Sequence, residues 1–382
     1  MTPRFNAPAP TPTSAPARTA RRALPALLLP FGLLAASAQA QVTLYGRANI
    51  DFEKTRLDGT PAARAFAGNQ RVSSNSSRFG IRYAKEHQGL TWFAQLESGV
   101  SWDAGGDTLA GRDTFAGVEG PFGKLRIGKM DTPFKDLGGL TDRFKGTGIQ
   151  DDGSIAVLGG SANGFGRRQN NSLRYDSPRF NGLRGALHYG LENEDRGSAE
   201  QRRLLSLSGN FESGAFKAAL AHEQHRNFNA TGQRDSAWRL GVNHQWGLVN
   251  LGAGLNRLDY RLPAGRVKRD YATVTAGISV GAGTINLRYG RAADVKGTAP
   301  ASAAIAGADG TTLIVGRNTG ATQTTIGYEH TVFKGAQVYA YWTQVRNEAN
   351  ANYRFGVNPI NLAAADRGAD PSGLVVGLCI DF

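Results

Sequence analysis

The chain has a single cysteine, Cys379, in 382 residues, so no disulfide framework within the chain can hold the fold together. Long apolar runs are missing as well. Beyond the N-terminal segment no stretch approaches the roughly 18 consecutive apolar residues that a membrane-spanning helix needs. No H-E-x-x-H sequence occurs and no G-x-S-x-G nucleophile elbow is expected, which argues against the zinc-hydrolase and serine-hydrolase signatures. Gly252-Ala253-Gly254 and Gly281-Ala282-Gly283 are followed by no helical pattern, and a phosphate-cradling loop needs a helix N-terminus to converge its N–H groups. His222 and His225 are three apart, which puts them on opposite faces of a strand and argues against a metal site. No Ser/His/acid cluster falls on one side of a strand pair. These absences predict neither an enzyme nor a cofactor-binding protein.

What is present begins with an export signal. A basic stretch ends in Arg18, Arg21 and Arg22, the apolar run Ala23 to Ala36 follows, and Ala38-Gln39-Ala40 closes the segment. This order predicts a signal peptide over residues 1–40 with cleavage before Gln41. The run is too short to span a bilayer and carries Pro25 and Pro30, so a retained anchor is the weaker reading. The Pro-rich stretch Pro3 to Pro16 makes the leader unusually long, and an upstream start codon in place of the true one would account for it. An exported chain without a helical span is either a soluble secreted protein or an outer-membrane barrel.

Charge narrows the partners. The chain has 44 Lys and Arg against 31 Asp and Glu, and the leader's Arg4, Arg18, Arg21 and Arg22 leave 40 bases against the same 31 acids after cleavage. A basic excess suits nucleic acid, acidic lipid or anionic solutes. Export disfavours nucleic acid.

From Val42 onward the chain falls into segments of about ten residues with alternating polarity. Phe79, Ile81 and Tyr83 oppose Arg78, Gly80 and Arg82. Leu90, Trp92, Ala94 and Leu96 oppose Thr91, Phe93, Gln95 and Glu97, and Leu173 and Tyr175 oppose Ser172, Arg174 and Asp176. Near the C-terminus Leu374, Val376, Leu378, Ile380 and Phe382 oppose Val375, Gly377, Cys379 and Asp381. Tight turns such as 86–89, 120–123, 178–182, 212–214, 246–247, 281–283 and 333–335 alternate with long Gly/Asp/Ala-rich connections around 55–75, 102–111, 132–168, 194–200, 226–234, 260–267, 294–321 and 348–371. Alternating short and long connections over an even number of strands distinguish an outer-membrane barrel from a sandwich. The expected fold is all-β, a 16-stranded antiparallel transmembrane barrel over residues 41–382.

Several ordered blocks resemble the Gram-negative general porin family. Val42-Thr43-Leu44-Tyr45-Gly46 is similar to its first strand. Asn75 to Arg82 and Gln95 to Gly99 are similar to the second and third, Gly111 to Gly117 and Gly123 to Lys129 to the fourth and fifth, and Asn171 to Pro178 to the sixth. The terminal Phe382 matches the family's C-terminal aromatic. The blocks are densest over 42–190. The resemblance implies a homotrimer in the bacterial outer membrane, surrounded by lipid and lipopolysaccharide, whose third long connection folds inward as a constriction loop. By order and length that loop is 132–168, with the acids Asp136, Asp142, Asp151 and Asp152. It has Asn163-Gly164-Phe165-Gly166 where a Pro-Glu-Phe-Gly-type sequence is common.

A barrel of this size keeps a water-filled lumen, and wall charges then set selectivity. Arg78, Arg82, Arg112, Arg126, Arg174, Arg184 and Arg288 fall on the inward phase of their strands, as does Glu97; the phase of Arg47 depends on where its strand bends. Resemblance to the family's anion-selective branch makes Arg78, Arg112 and Arg174 the constriction bases, with Glu97 beside them and Arg126 and Arg82 lining the same wall. Trp92, Tyr175, Trp238, Trp246, Trp342 and Phe382 fall on the outward phase and fit interfacial aromatic girdles. The reading is a passive channel for small anionic or neutral hydrophilic solutes, with anion preference. A substrate-specific porin for an organic acid or phosphate is the alternative.

Overall fold

The computed structural model describes residues 40–61, 66, 68–106, 108–144, 148–159, 163–192, 201–360 and 366–382. The expected signal segment, apart from Ala40, and the connection around 194–200 lie outside the described residues.

Sixteen antiparallel strands form one closed sheet. They are β1 (Gln41–Asp58), β2 (in two pieces, Asn69–Ser74 and Arg78–His87), β3 (Leu90–Gly99), β4 (Thr114–Gly120), β5 (Gly123–Asp131), β6 (Arg168–Asp176), β7 (Leu183–Glu192) and β8 (Arg202–Ser213). The second half comprises β9 (Phe216–Arg226), β10 (Arg234–Trp246), β11 (Val249–Leu262), β12 (Gly265–Val280), β13 (Gly283–Ala292), β14 (Ala321–Phe333), β15 (Ala336–Asn347) and β16 (Asp370–Asp381). Each strand pairs with its sequence neighbour. Strand β1 closes the ring, pairing Arg47 with Arg78 of β2 on one side and with Asp381 of β16 on the other.

The alternation read from the sequence appears as an inverted protein. Outward residues such as Leu44, Ile127, Leu173, Trp246, Val376 and Phe382 are exposed, while the inward set includes buried Asn49, Asp51, Glu53, Glu97, Asn286 and Thr325. An apolar belt of this extent needs an apolar medium around it. The turns at one end are tight: Asn181-Gly182, with φ of 46° and 84°, has the two positive values of a type I′ hairpin turn.

Two expectations are corrected. The connection around 260–267 is no long loop. Strands β11 and β12 continue through it, pairing Leu262 with Gly265, because the alternation persists through buried Leu258, Tyr260 and Val267. Second, Gly277-Ile278-Ser279-Val280-Gly281 has the G-x-S-x-G spacing of a nucleophile elbow. It lies in β12 and its turn into β13, with no helix to follow, so the strand-to-helix bend that such an elbow requires is absent there.

Buried apolar residues come largely from the connections and the strand positions they touch. Phe134, Ile149, Ile155 and Phe165 of the 132–167 connection are fully or almost fully buried, together with Tyr260 and Tyr271 of the wall and Phe355 of the connection after β15. The short hairpin Ile305–Ala306 with Thr312–Leu313 packs here too. Ser154 Oγ bonds Asp309 and, at 3.1 Å, Thr311 Oγ1. Asn352 Oδ1 accepts from the Thr312 N–H at 2.9 Å.

Candidate functional site

The connection between β5 and β6 crosses to the far wall and is fastened there by side chains on the inward phase of β8 to β13. It opens with a one-turn helix, α1 (Pro133–Asp136), capped by Thr132 and pre-set by a proline at its start. The Phe134 N–H donates to Ser206 Oγ at 3.2 Å, and Arg239 Nη1 donates to the Phe134 carbonyl at 3.4 Å. Arg143 Nη1 reaches Asn250 Oδ1 at 2.6 Å. Arg288 donates to Asp142 Oδ1 at 2.7 Å and to the Gln150 carbonyl at 2.8 Å. Tyr271 Oη donates to Asp152 Oδ2 at 2.8 Å. A second short helix, α2 (Gly153–Val157), is held at its carbonyls: Arg269 bonds the Ile155 oxygen and, at 2.5 Å, the Ala156 oxygen. Phe165 stacks on the buried His225 with ring centroids 4.4 Å apart. At Gly138 an added Cβ would stand 2.8 Å from Arg239 Nη1, so any larger residue there would push the guanidinium off its place against the loop.

The opposite wall keeps its charges beside open space. Arg112 Nε donates to Glu97 Oε1 at 2.6 Å, Arg78 Nε lies 3.6 Å from Glu97 Oε2, and Tyr45 Oη donates to Glu97 Oε2 at 3.0 Å. Arg47 faces the same cavity while pairing with Asp381 at 2.5 Å. Arg168 joins Asp113 and, at 3.2 Å, Asp131, which also holds Lys135 at 2.9 Å. Across the cavity stand Asp142, Asp151 and Asp152 of the connection, with Gly356 and Val357 of the loop after β15. Together these side chains define a charged eyelet, with Asp131 among the bases of one side and Arg239 beside the loop acids of the other.

Of the residues read from the sequence, the structure brings Arg78, Arg112 and Glu97 together and places Asp142, Asp151 and Asp152 opposite them. Arg174 and Asp136 meet elsewhere, at 2.6 Å, with Asp176 Oδ1 at 2.9 Å from Arg174 Nη2. Arg126 bonds the other Asp176 oxygen, and Arg184 stands 4.0 Å from Asp176. Asp136, Arg174, Asp176 and Arg184 of this second cluster line another cavity with Arg179, Glu212 and Lys217. Arg82 lies 3.8 Å over the Tyr45 ring and donates to Gln95 at 3.0 Å. Arg288 is almost wholly buried under the connection.

Arg168, Asp131, Lys135 and Arg239 line the eyelet without having been singled out. The phase of Arg168 is unreadable because the β5–β6 register shifts between Gly128 and Met130, and Asn171 has a φ of 46°. Arg239 was legible as inward, but nothing in its strand says that a loop lies on it.

The loop acids differ in their ionisation. Burial, with the neighbouring Asp152 and Asp142 carboxylates, pushes the Asp151 carboxyl up to about 6. Burial pushes Asp152 up as well, but the Arg288 and Arg239 guanidiniums outweigh it and hold that carboxyl below its ordinary value.

The sequence profile of the Gram-negative porin family matches residues 23–350. A chitoporin of Vibrio furnissii is 34% identical over 146 residues, covering 36% of this chain and 38% of that protein. The major outer membrane protein P.IB of Neisseria meningitidis serogroup B is 29% identical over 195 residues, covering 50% of this chain and 55% of that one. The matched parts thus span between about a third and a little over half of these curated relatives. Among solved structures, the anion-selective porin from Comamonas acidovorans superposes with a TM-score of 0.71 at 20% identity, over 90% of this chain and 100% of that one. The trimer form of OmpT from Vibrio cholerae gives 0.62 at 16% identity, over 90% and 99%. These structures share the fold.

Proposed function

Because this chain belongs to the Gram-negative porin family, we propose that it is exported by a cleaved signal over residues 1–40 and forms a water-filled outer-membrane channel for passive diffusion. It passes small anionic or neutral hydrophilic solutes, prefers anions, works as a homotrimer and sits among outer-membrane lipid and lipopolysaccharide. The 132–168 connection is its constriction loop.

The observation that carries this reading is the eyelet's charge. Arg47, Arg78, Arg112, Lys135, Arg168 and Arg239 line it against Asp131, Asp142, Asp151 and Asp152, six bases to four acids. Glu97 behind the rim offsets part of that excess. Net positive charge at a narrow, low-dielectric passage lowers the entry cost of anions, and guanidinium keeps its charge at any physiological pH. Asp136, Arg126, Arg174 and Arg184 form a second charged station.

One observation favours the substrate-specific alternative. Ser74, Ser76, Ser77, Ser101 and Thr108 line a small cavity together with Arg112 and Arg168, and hydroxyls beside guanidinium suit an organic acid or a phosphate. Single-channel recording with increasing solute separates the two. Conductance that rises linearly supports the general channel, and saturation at millimolar organic acid or phosphate supports the specific one. Reversal at the cation potential in a salt gradient would overturn the anion preference in both.

A further inference from the structure

Beneath the loop, toward the tight turns, a cavity of about 380 Å³ opens beside the eyelet, and Gly139 lines both. Small-molecule sites occupy roughly 300–1,000 Å³. Most of the charges here satisfy one another. Asp176 gives one oxygen to Arg174 and the other to Arg126. Asp136 holds Arg174 at 2.6 Å, and Glu212 takes both Arg179 and, at 2.6 Å, Lys217. Arg184 is left over. Its one ion contact among the described residues, Asp176 Oδ1 at 4.0 Å, already accepts from Arg174, and its guanidinium makes no hydrogen bond there. Roughly 26 Å of strand separate it from Glu192, where the long connection to β8 begins.

The wall around Arg184 is less polar than the rest of the lumen. The register sets Arg184 beside Asn210 and Asn210 beside Ala219; in the next row Ala186 meets Ser208 and Ser208 meets Ala221. Elsewhere the inward phase carries residues such as Thr273, Thr275, Asn286 and Thr325. Over the alanines the turn Leu137–Leu140 of the loop lays two leucines, both reaching Gly241 of β10. Small wall residues make room for the loop, which accounts for the buried Leu137. Leu140 is only partly buried and keeps apolar surface for the cavity it lines. A free guanidinium beside apolar surface suits a carboxylate with an aliphatic body: the planar donors take both oxygens, and the body leaves water. Phosphate would gain from the guanidinium alone.

Resting on the channel reading, we propose that this cavity is a binding station for short-chain aliphatic monocarboxylates, with Arg184 on the carboxylate and the body between Leu140 and the alanines of β7 and β9. An acid that clears the eyelet pauses here before leaving on the side of the tight turns, the periplasmic side of an outer-membrane barrel. Burying a methylene fully is worth about fourfold in affinity, and half-burying it about twofold. Hexanoate therefore binds on the order of tenfold more tightly than acetate.

The test records chloride current through the full chain in a planar bilayer while acetate, butyrate, hexanoate or inorganic phosphate is added. Hexanoate should interrupt the wild-type current at a concentration on the order of tenfold below that of acetate, with butyrate between them. R184Q should need at least about tenfold more hexanoate while migrating unchanged on a heated gel. L140T should flatten the chain-length series and leave acetate where it was. A wild-type series that does not strengthen with chain length overturns the proposal, as does phosphate acting as strongly as hexanoate. A hexanoate response that R112S loses and R184Q keeps also overturns it, because the eyelet would then be the binding place. Equilibrium dialysis of labelled hexanoate against the same proteins in detergent separates the site from the channel. Binding that needs Arg184 in a protein that conducts nothing supports the site and counts against the channel reading alone. A conducting wild type that binds no hexanoate overturns the site.

Discussion

Two walls of one barrel use the same residue in the same strand phase for different ends. On β12 and β13, Arg269 and Arg288 point inward and are buried at 1% and 3% exposure, with the backbone oxygens of Ile155, Ala156 and Gln150 as their partners. On β2, and just ahead of β4, Arg78 and Arg112 also point inward, yet their side chains keep 24% exposure and share one carboxylate, Glu97. The first pair fastens the loop. The second faces the passage that the loop leaves open. What separates them is whether a loop lies over that part of the lumen, and strand phase carries no information on this.

The largest effect that would break this contrast is on stability. Arg288→Ala removes the donor that holds the Asp142 carboxylate and the Gln150 carbonyl of the loop against the wall. Losing hydrogen bonds to a charged group costs about 1.5–3 kcal/mol, so the temperature at which the folded form converts on a heated gel should fall and current noise should rise. Arg78→Ser should leave that temperature nearly unchanged, since partly exposed pairs contribute about 0–1 kcal/mol. An Arg288→Ala protein as heat-resistant and quiet as wild type would remove the distinction between fastener and passage.

Arg174→Ser sharpens the contrast from a third position. Asp136 and Asp176 already balance this arginine in its own cavity, so its loss should move the reversal potential toward cations by less than Arg112→Ser does. A larger shift would make the second cavity the selective one.

Acid titration gives a smaller effect. Asp151, with its carboxyl pushed up to about 6, is mostly ionised at pH 7 and mostly protonated at pH 5. Lowering the pH across that window removes a negative charge from the loop rim, so anion preference should rise. Asp151→Asn should show the higher preference at both pH values. A preference that falls on acidification has the wrong sign for this account. The mildest change is ionic strength: the Debye length shrinks from about 10 Å at 0.1 M to about 3 Å at 1 M, and selectivity should weaken accordingly.

Much of the barrel was legible because alternation is a local property. Phe79, Ile81 and Tyr83 face out and Arg78 faces in because each pleat reverses direction, whatever the rest of the chain does. The site was legible only in part. Arg112 and Glu97 could be placed together from phase and family likeness, whereas the partner of Arg174 is a loop residue, Asp136, whose position depends on how α1 lands. Arg168 was hidden by the irregular pairing around Gly128 and Asn171. The Asn163-Gly164-Phe165-Gly166 segment, unusual for its place, still brings one aromatic to the wall, where Phe165 stacks on His225. The hairpin at Pro263-Ala264 was misread because polar Arg261, Arg266 and Lys268 resemble a loop until their outward phase is seen.

The most direct test of the central claim is the reversal potential of R78S/R112S against wild type in a planar bilayer across a potassium chloride gradient at low ionic strength. Wild type should reverse on the chloride side of zero, and the double variant, with the Glu97 carboxylate stripped of both arginines, should move clearly toward potassium. An anion preference that survives the double change intact would contradict that claim.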